Sequence, residues 1–163
     1  RFHLKSFKAL GGAYAIDQLV ARHNSRGKRL QELVICCATD GNHGRSVAWG
    51  AQMEIIEKAA EMASSDGVSC EIIDLRTILP WDVETVVNSV MKTGRLIVSQ
   101  EAPITAGFAS EIAATIQSEC FLHLESPIGR ICGLDTPYPL ALEKEYAPDH
   151  LKVYEAIKHS VNY

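Results

Sequence analysis

The chain has 163 residues, 47% of them hydrophobic and 22% charged, with a net charge of -4, which suffices for one well-buried domain, or one domain with an appendage. No basic face is concentrated enough to neutralise a run of phosphates, which argues against a nucleic-acid binder, and no apolar run approaches the roughly 18 residues that a membrane-spanning helix requires. Five cysteines (Cys36, Cys37, Cys70, Cys120 and Cys132) form an odd set without Cys-x-x-Cys spacing, which fits buried free thiols in a reducing compartment better than a disulfide framework or a zinc ribbon.

In chain order, the apolar positions Tyr14, Ile16, Leu19 and Val20 predict a helix over about 7–22, and Asn24-Ser25-Arg26-Gly27 a polar turn. Leu33–Ala38 (LVICCA) is a short, partly β-branched apolar run that suits a buried parallel strand. Thr39–Gly44 is a loop by composition, and Met53–Met62 an amphipathic helix closed by Ser64-Ser65-Asp66-Gly67. Strand Cys70–Leu75 precedes a helix over Asp82–Val90 that Pro80 and Trp81 introduce. Strand Arg95–Ser99, helix Phe108–Cys120, a short strand Ile128–Cys132, a proline-punctuated loop (Pro137, Pro139, Pro148) and a closing helix Leu151–Val161 follow. Strands alternating with helices at this spacing predict an α/β fold: three α/β/α layers around a mostly parallel sheet, with a helical N-terminal appendage. The chain begins at Arg1 in mid-pattern, without an initiator Met or a signal-peptide pattern, and reads as a fragment or a processed piece.

Two constellations carry chemistry. In the first, Lys8 stands directly ahead of the Gly11-Gly12 pair, where its amine has room to reach a bound aldehyde. Asp40-Gly41-Asn42-His43-Gly44 then follows an apolar strand, and its glycines let backbone N–H groups converge on an anion at a helix start. The runs RFHLKSFKALGGAYA and ATDGNHGRSVAW resemble diaminopropionate ammonia-lyase, a pyridoxal-phosphate enzyme of the tryptophan-synthase-β fold type. The resemblance implies that Lys8 corresponds to the aldimine lysine, Asp40 to the acid on the opposite face of the substrate α-carbon, and Asn42 to the residue at the coenzyme's ring hydroxyl. It places Gly41, His43 and Gly44 in the loop at the substrate carboxylate. It ends near residue 50, and no GGGG-type phosphate cup occurs downstream, so coenzyme binding and lyase activity are not expected to survive.

In the second, Asp74-Leu75-Arg76-Thr77 ends a predicted parallel strand, Pro80-Trp81-Asp82 starts the next helix, and Glu101-Ala102-Pro103 follows the strand RLIVS. Gly107 gives the chain freedom before the next helix, and Gly133–Pro139 is a proline-fixed loop. Turns and caps account for each of these, although the carboxyl ends of strands are where α/β sheets place their functional loops. VAWGAQMEIIEKAAEMA, GVSCEIIDLRTILPWDVETVVNSVMKTGRLIVSQEAPITAGFASEI, ECFLHLESPIGRICGLDTPYP and the final NY are similar to the C-terminal domain, shared with transketolases, of branched-chain 2-oxo acid dehydrogenase β subunits. Gln100 stands where that pattern more often reads His.

This second resemblance covers residues 47–163 and divides the chain into a pyridoxal-enzyme-like segment 1–48 and a transketolase C-terminal-like domain 49–163. It implies contacts to a dehydrogenase α subunit and to a lipoyl acyltransferase core. It also implies thiamine diphosphate held elsewhere in the parent enzyme, so that this chain alone binds no cofactor, and a mitochondrial matrix location in a eukaryote. Glu54, Asp66, Glu84 and Glu101 acquire no catalytic role, His43, His123, His150 and His159 lack metal-ligand spacing, and no Gly-x-Ser-x-Gly occurs. At the junction two arrangements stand open. Either Leu33–Ala38 is the first strand and Arg45–Met62 one helix, or Ser46–Gly50 is the strand and the first 44 residues an appendage. The first is preferred, because Leu33–Ala38 is the more apolar and better bounded run.

Overall fold

A computed structural model describes residues 31–37, 44–138 and 140–163. Strand β1 (Gln31–Cys37) leads into the 22-residue helix α1 (Gly44–Ser65), then β2 (Val68–Asp74), α2 (Val83–Thr93), β3 (Leu96–Pro103), α3 (Phe108–Cys120) and β4 (Gly129–Gly133). Two short helices, a 3-10 turn at Leu140–Leu142 and α4 (Glu143–Tyr146), precede α5 (His150–Val161); they occupy what composition alone reads as a loop. The four strands pair in the order β2-β1-β3-β4, all in parallel.

Side chains alternate across a strand, so a strand covered on both faces is apolar at every position. In β1, Leu33 and Ile35 enter one cluster with Met53, Ile56, Ala59 and Ala63 of α1 and with Val153 and Ile157 of α5. Val34 and Cys36 enter the other, with Val86 and Val90 of α2 and Ala109, Ile112, Ile116 and Cys120 of α3. Leu96 and Val98 of β3 face α2 and α3, whereas Ile97 faces α1 and α5. The result is the expected three-layer α/β/α arrangement. The helical stripes follow 3.6-residue spacing, as in Met53, Ile56, Ala59 and Ala63.

The junction is resolved in favour of one long helix. α1 runs unbroken through Trp49, and residues 46–50 are helical, not a strand. The segment boundary drawn at 48/49 on resemblance therefore falls inside a helix, and β1, on its N-terminal side, lies between β2 and β3. Three fully buried side chains of β1 (Leu33, Val34 and Ile35) each contribute on the order of 2 kcal/mol of burial, which makes the strand integral to the sheet. The helix expected over 7–22 and the turn at 24–27 lie outside the described residues.

Local signals set the element ends. Asp82 caps α2, its carboxylate accepting the Thr85 N–H at 3.0 Å, and Asp149 caps α5 through the Lys152 N–H at 2.8 Å. Gly94 closes α2 in the left-handed region (φ 71), its N–H donating to Val90 O at 2.8 Å. At the amino end of the sheet, Arg95 donates to the Ser160 carbonyl at 3.1 Å and pairs with Glu125, while Ser126 and Ser160 share a buried hydroxyl hydrogen bond of 2.7 Å. These bonds staple α5 to the core.

Candidate functional site

The loops beyond the carboxyl ends of β2, β3 and β4 gather at one end of the sheet, the end where parallel α/β domains build their sites. After β2, the Asp74 carboxylate accepts the backbone N–H of Arg76 at 3.2 Å and its Nε at 3.0 Å. This bond bridges a left-handed backbone at Arg76 (φ 56), a conformation that costs a non-glycine residue energy. Thr77 Oγ1 donates to the Pro80 carbonyl at 2.8 Å across the cis Leu79–Pro80 peptide. Trp81 then packs edge-on against Phe108, with ring centroids 6.2 Å apart, and joins this loop to α3.

β3 runs on through Glu101-Ala102-Pro103, beyond the strand Arg95–Ser99 expected from sequence, with an irregular register against β4 between Ser99 and Pro103. The following turn is tied to the β4 loop. Ile104 N–H donates to Gly133 O at 3.1 Å, and Thr105 donates its N–H (3.0 Å) and its hydroxyl (2.6 Å) to Asp135. Arg130 Nη1 donates to Ile104 O at 3.2 Å and to Ser110 Oγ at 2.7 Å. Beneath the turn lies Gln100, 1% exposed. Its Oε1 accepts the Ala109 N–H at 2.7 Å, and its Nε2 donates to Pro103 O at 3.0 Å and Ala102 O at 3.3 Å.

Gly107 is glycine for want of space, not for backbone freedom. Its φ of -74 suits any residue, but a Cβ there would lie 2.0 Å from Gln100 Nε2 and 2.3 Å from Pro103 O. Sequence reasoning missed the part Gln100 plays. The available signal was a large polar residue closing the otherwise apolar run RLIVS, with a glycine at the next helix start.

The electrostatics suit anchoring better than proton transfer or nucleophilic attack. Side-chain and backbone hydrogen bonds from Thr85 hold Asp82 below the ordinary carboxylate range, and Thr105 does the same for Asp135, so both are ionised acceptors at neutral pH. Burial pushes the thiols of Cys36 and Cys70 up to about 12 and that of Cys132 to about 11. These are protonated, unreactive thiols; of the buried free thiols expected from sequence, Cys36 and Cys120 are free and buried, whereas Cys70 and Cys132 are free and half-buried. Among the described residues no group of three or more His, Cys, Asp or Glu side chains is placed to hold a metal ion. His123 lies in a short helical turn, and His150 and His159 lie towards opposite ends of α5.

The surface at this end carries exposed apolar side chains: Leu79 (91%), Leu134 (51%), Tyr138 (51%) and Ile104 (36%). At the opposite end Phe121, Leu122 and Tyr163 are exposed. Of the lyase-like positions, Gly44 is the first residue of α1. Lys8, Asp40, Gly41, Asn42 and His43 lie outside the described residues.

The sequence profile of the family "Transketolase, C-terminal domain" matches residues 41–153. The chain belongs to the transketolase C-terminal domain family. Among relatives, the mitochondrial 2-oxoisovalerate dehydrogenase subunit beta of Dictyostelium discoideum is 62% identical over 118 residues, 72% of this chain and 32% of that protein. Subunit beta 2 of Arabidopsis thaliana, also mitochondrial, is 54% identical over 124 residues, 76% of this chain and 35% of the relative. The pyruvate dehydrogenase E1 component subunit beta of Leifsonia xyli is 42% identical over 124 residues, 76% of this chain and 37% of the relative. The chain spans about a third of the length of these relatives. A solved structure described as a split gene transketolase, inactive beta4 tetramer, shares the fold of this transketolase C-terminal domain. The TM-score is 0.63 at 20% identity, over 83% of this chain and 40% of that one. These relatives carry the dehydrogenase resemblance of the second constellation; none of them supports the lyase resemblance of the first.

Proposed function

We propose that this chain is the transketolase C-terminal-like portion of a branched-chain 2-oxo acid (3-methyl-2-oxobutanoate) dehydrogenase β subunit. Its work is assembly: it supplies contacts to the α subunit and to the lipoyl acyltransferase core while oxidative decarboxylation takes place elsewhere in the complex. The observation that carries this reading is the 62% identity to a 2-oxoisovalerate dehydrogenase β subunit over 118 residues. The carboxyl-end loops support it, because ionised caps and exposed apolar side chains suit a contact surface. Thiamine diphosphate chemistry belongs to the intact dehydrogenase, and no step of it is assigned to these residues. A mitochondrial matrix location follows if the source is eukaryotic, as in the Dictyostelium and Arabidopsis relatives named mitochondrial.

Competition tests the proposal. Folded chain added in excess to a limiting α subunit and an intact β subunit is expected to lower reconstituted dehydrogenase activity, by occupying the α-subunit surface. Undiminished activity at saturating chain rejects it. The lyase-like positions Lys8, Asp40, Gly41, Asn42, His43 and Gly44 are proposed to be carried without pyridoxal-phosphate chemistry, and a borohydride-stable adduct at Lys8 would reverse that assignment.

A further inference from the structure

The loop between β3 and α3 holds Ile104, Thr105 and Ala106 out to solvent, with Ala106 in the left-handed region (φ 57). Its outer ties are exposed: the Thr105–Asp135 pair and the Arg130 bonds to Ile104 O and Ser110. Exposed polar ties are worth little each, because water competes for both partners. The inner tie differs. Gln100 is buried, and one amide satisfies an orphan N–H of the α3 first turn through Oε1 and the carbonyls of Pro103 and Ala102 through Nε2. α3 has no side-chain cap of its own, since its cap position is Gly107, and that position cannot carry a Cβ without striking Gln100. Gln100 and Gly107 are therefore a fitted pair. Removing the amide leaves the buried Ala109 N–H and the part-buried carbonyls of Ala102 and Pro103 without it, a larger loss than any one surface bond.

We propose that Gln100 is a positioning residue that fixes the 101–107 loop against α3, and that the surface presented to the α subunit at this end depends on it. This rests on the assembly reading of the chain. The test uses Gln100→Met, which keeps bulk but removes both hydrogen-bonding groups, and Gln100→Glu, which keeps both only while the new carboxyl is protonated. A neutral acid accepts from Ala109 N–H and donates to Pro103 O, whereas the carboxylate turns its oxygens on two carbonyls. Charged or titratable side chains near this position include Glu101, the next residue of β3, and Cys132 of β4, with Arg130 and Asp135 acting on Cys132. Burial raises the Cys132 thiol to about 11 and the Thr105 hydrogen bonds hold Asp135 low, so neither of these two groups changes charge between pH 5 and pH 8.

Amide hydrogen exchange over residues 102–109 is the readout, alongside affinity for purified dehydrogenase α subunit. In Gln100→Met, exchange in this segment is expected to speed up about tenfold or more, with β1 and α5 unchanged and α-subunit affinity reduced. Gln100→Glu is expected to match Gln100→Met at pH 8 and to regain protection and affinity as the pH falls to 5. Unaltered exchange at 102–109, loss spread evenly over the sheet, or a Gln100→Glu variant with no pH dependence overturns the proposal. So does a loosened loop with undiminished affinity. A wild-type chain that fails to bind the α subunit instead overturns the assembly reading, and exchange alone then decides the part played by Gln100.

Discussion

Ile35→Ala probes whether β1 is a structural member of the domain. Ile35 is fully buried in the middle of the strand, opposite Ile72 of β2 and Ile97 of β3, and packs into the cluster that holds Ile56 of α1 and Ile157 of α5. Truncation removes three carbons from a site walled by two strands and two helices, which leaves little scope for collapse. The expected cost is therefore towards the top of the range of about 2–5 kcal/mol for such substitutions. Set against a total stability of about 5–15 kcal/mol, that is a large fraction, and it should lower the melting temperature by about 10 °C or more. Ile35→Val, which removes one methyl, should cost about 0.5–1.5 kcal/mol. Urea unfolding followed by circular dichroism measures both. A shift below about 0.5 kcal/mol for Ile35→Ala with an unchanged denaturant slope would mean that β1 contributes little to the cooperative unit, contrary to its place in the sheet.

Three further outcomes follow from the same geometry. Gly133→Ala would set a Cβ 2.4 Å from Glu101 O and 2.7 Å from the Tyr146 ring; because one obstacle is backbone, a loss of about 1–3 kcal/mol is expected by thermal melting. Asp82 and Asp135 are held below their ordinary value of 3.8 by threonine hydrogen bonds. The stability they contribute is complete above 3.8 and disappears as the pH falls through their lower folded values, so an Asp82→Asn, Asp135→Asn double variant should show a flatter acid-denaturation slope. Glu57 is raised above 4.5 by burial and by its neighbours Glu61 and Glu54. Its charged form weakens the fold above that raised value, and Glu57→Gln should stabilise the chain at pH 7 by about a few tenths of a kcal/mol, because partial exposure screens the repulsion.

Most of the fold was legible because hydrophobic period and punctuation agree. Phe108–Cys120 is predicted and found with the same bounds, and Leu33–Ala38 reads as a buried strand because its apolar run has the length and β-branching of one. The start of α1 was harder. Residues 45–52 carry polar side chains such as Arg45, Ser46 and Gln52 and no strict stripe, and two resemblances with different local structure meet there. Buried Gln52, which donates to Ser99 within the core, shows how a polar residue can interrupt the pattern without ending the helix. The extension of β3 to Pro103 was hidden because Glu101 and Pro103 disfavour strands locally, whereas pairing to β4 and the Gln100 bonds hold the backbone extended there. The Gln100–Gly107 pairing depends on contact across a turn, and no single-residue propensity encodes it.

The proposed assembly role can be checked by sedimentation velocity of the folded chain mixed with a purified branched-chain dehydrogenase α subunit. A faster boundary containing both polypeptides, absent from either alone, is the predicted result; two independent boundaries at concentrations well above those in the reconstituted enzyme would contradict it.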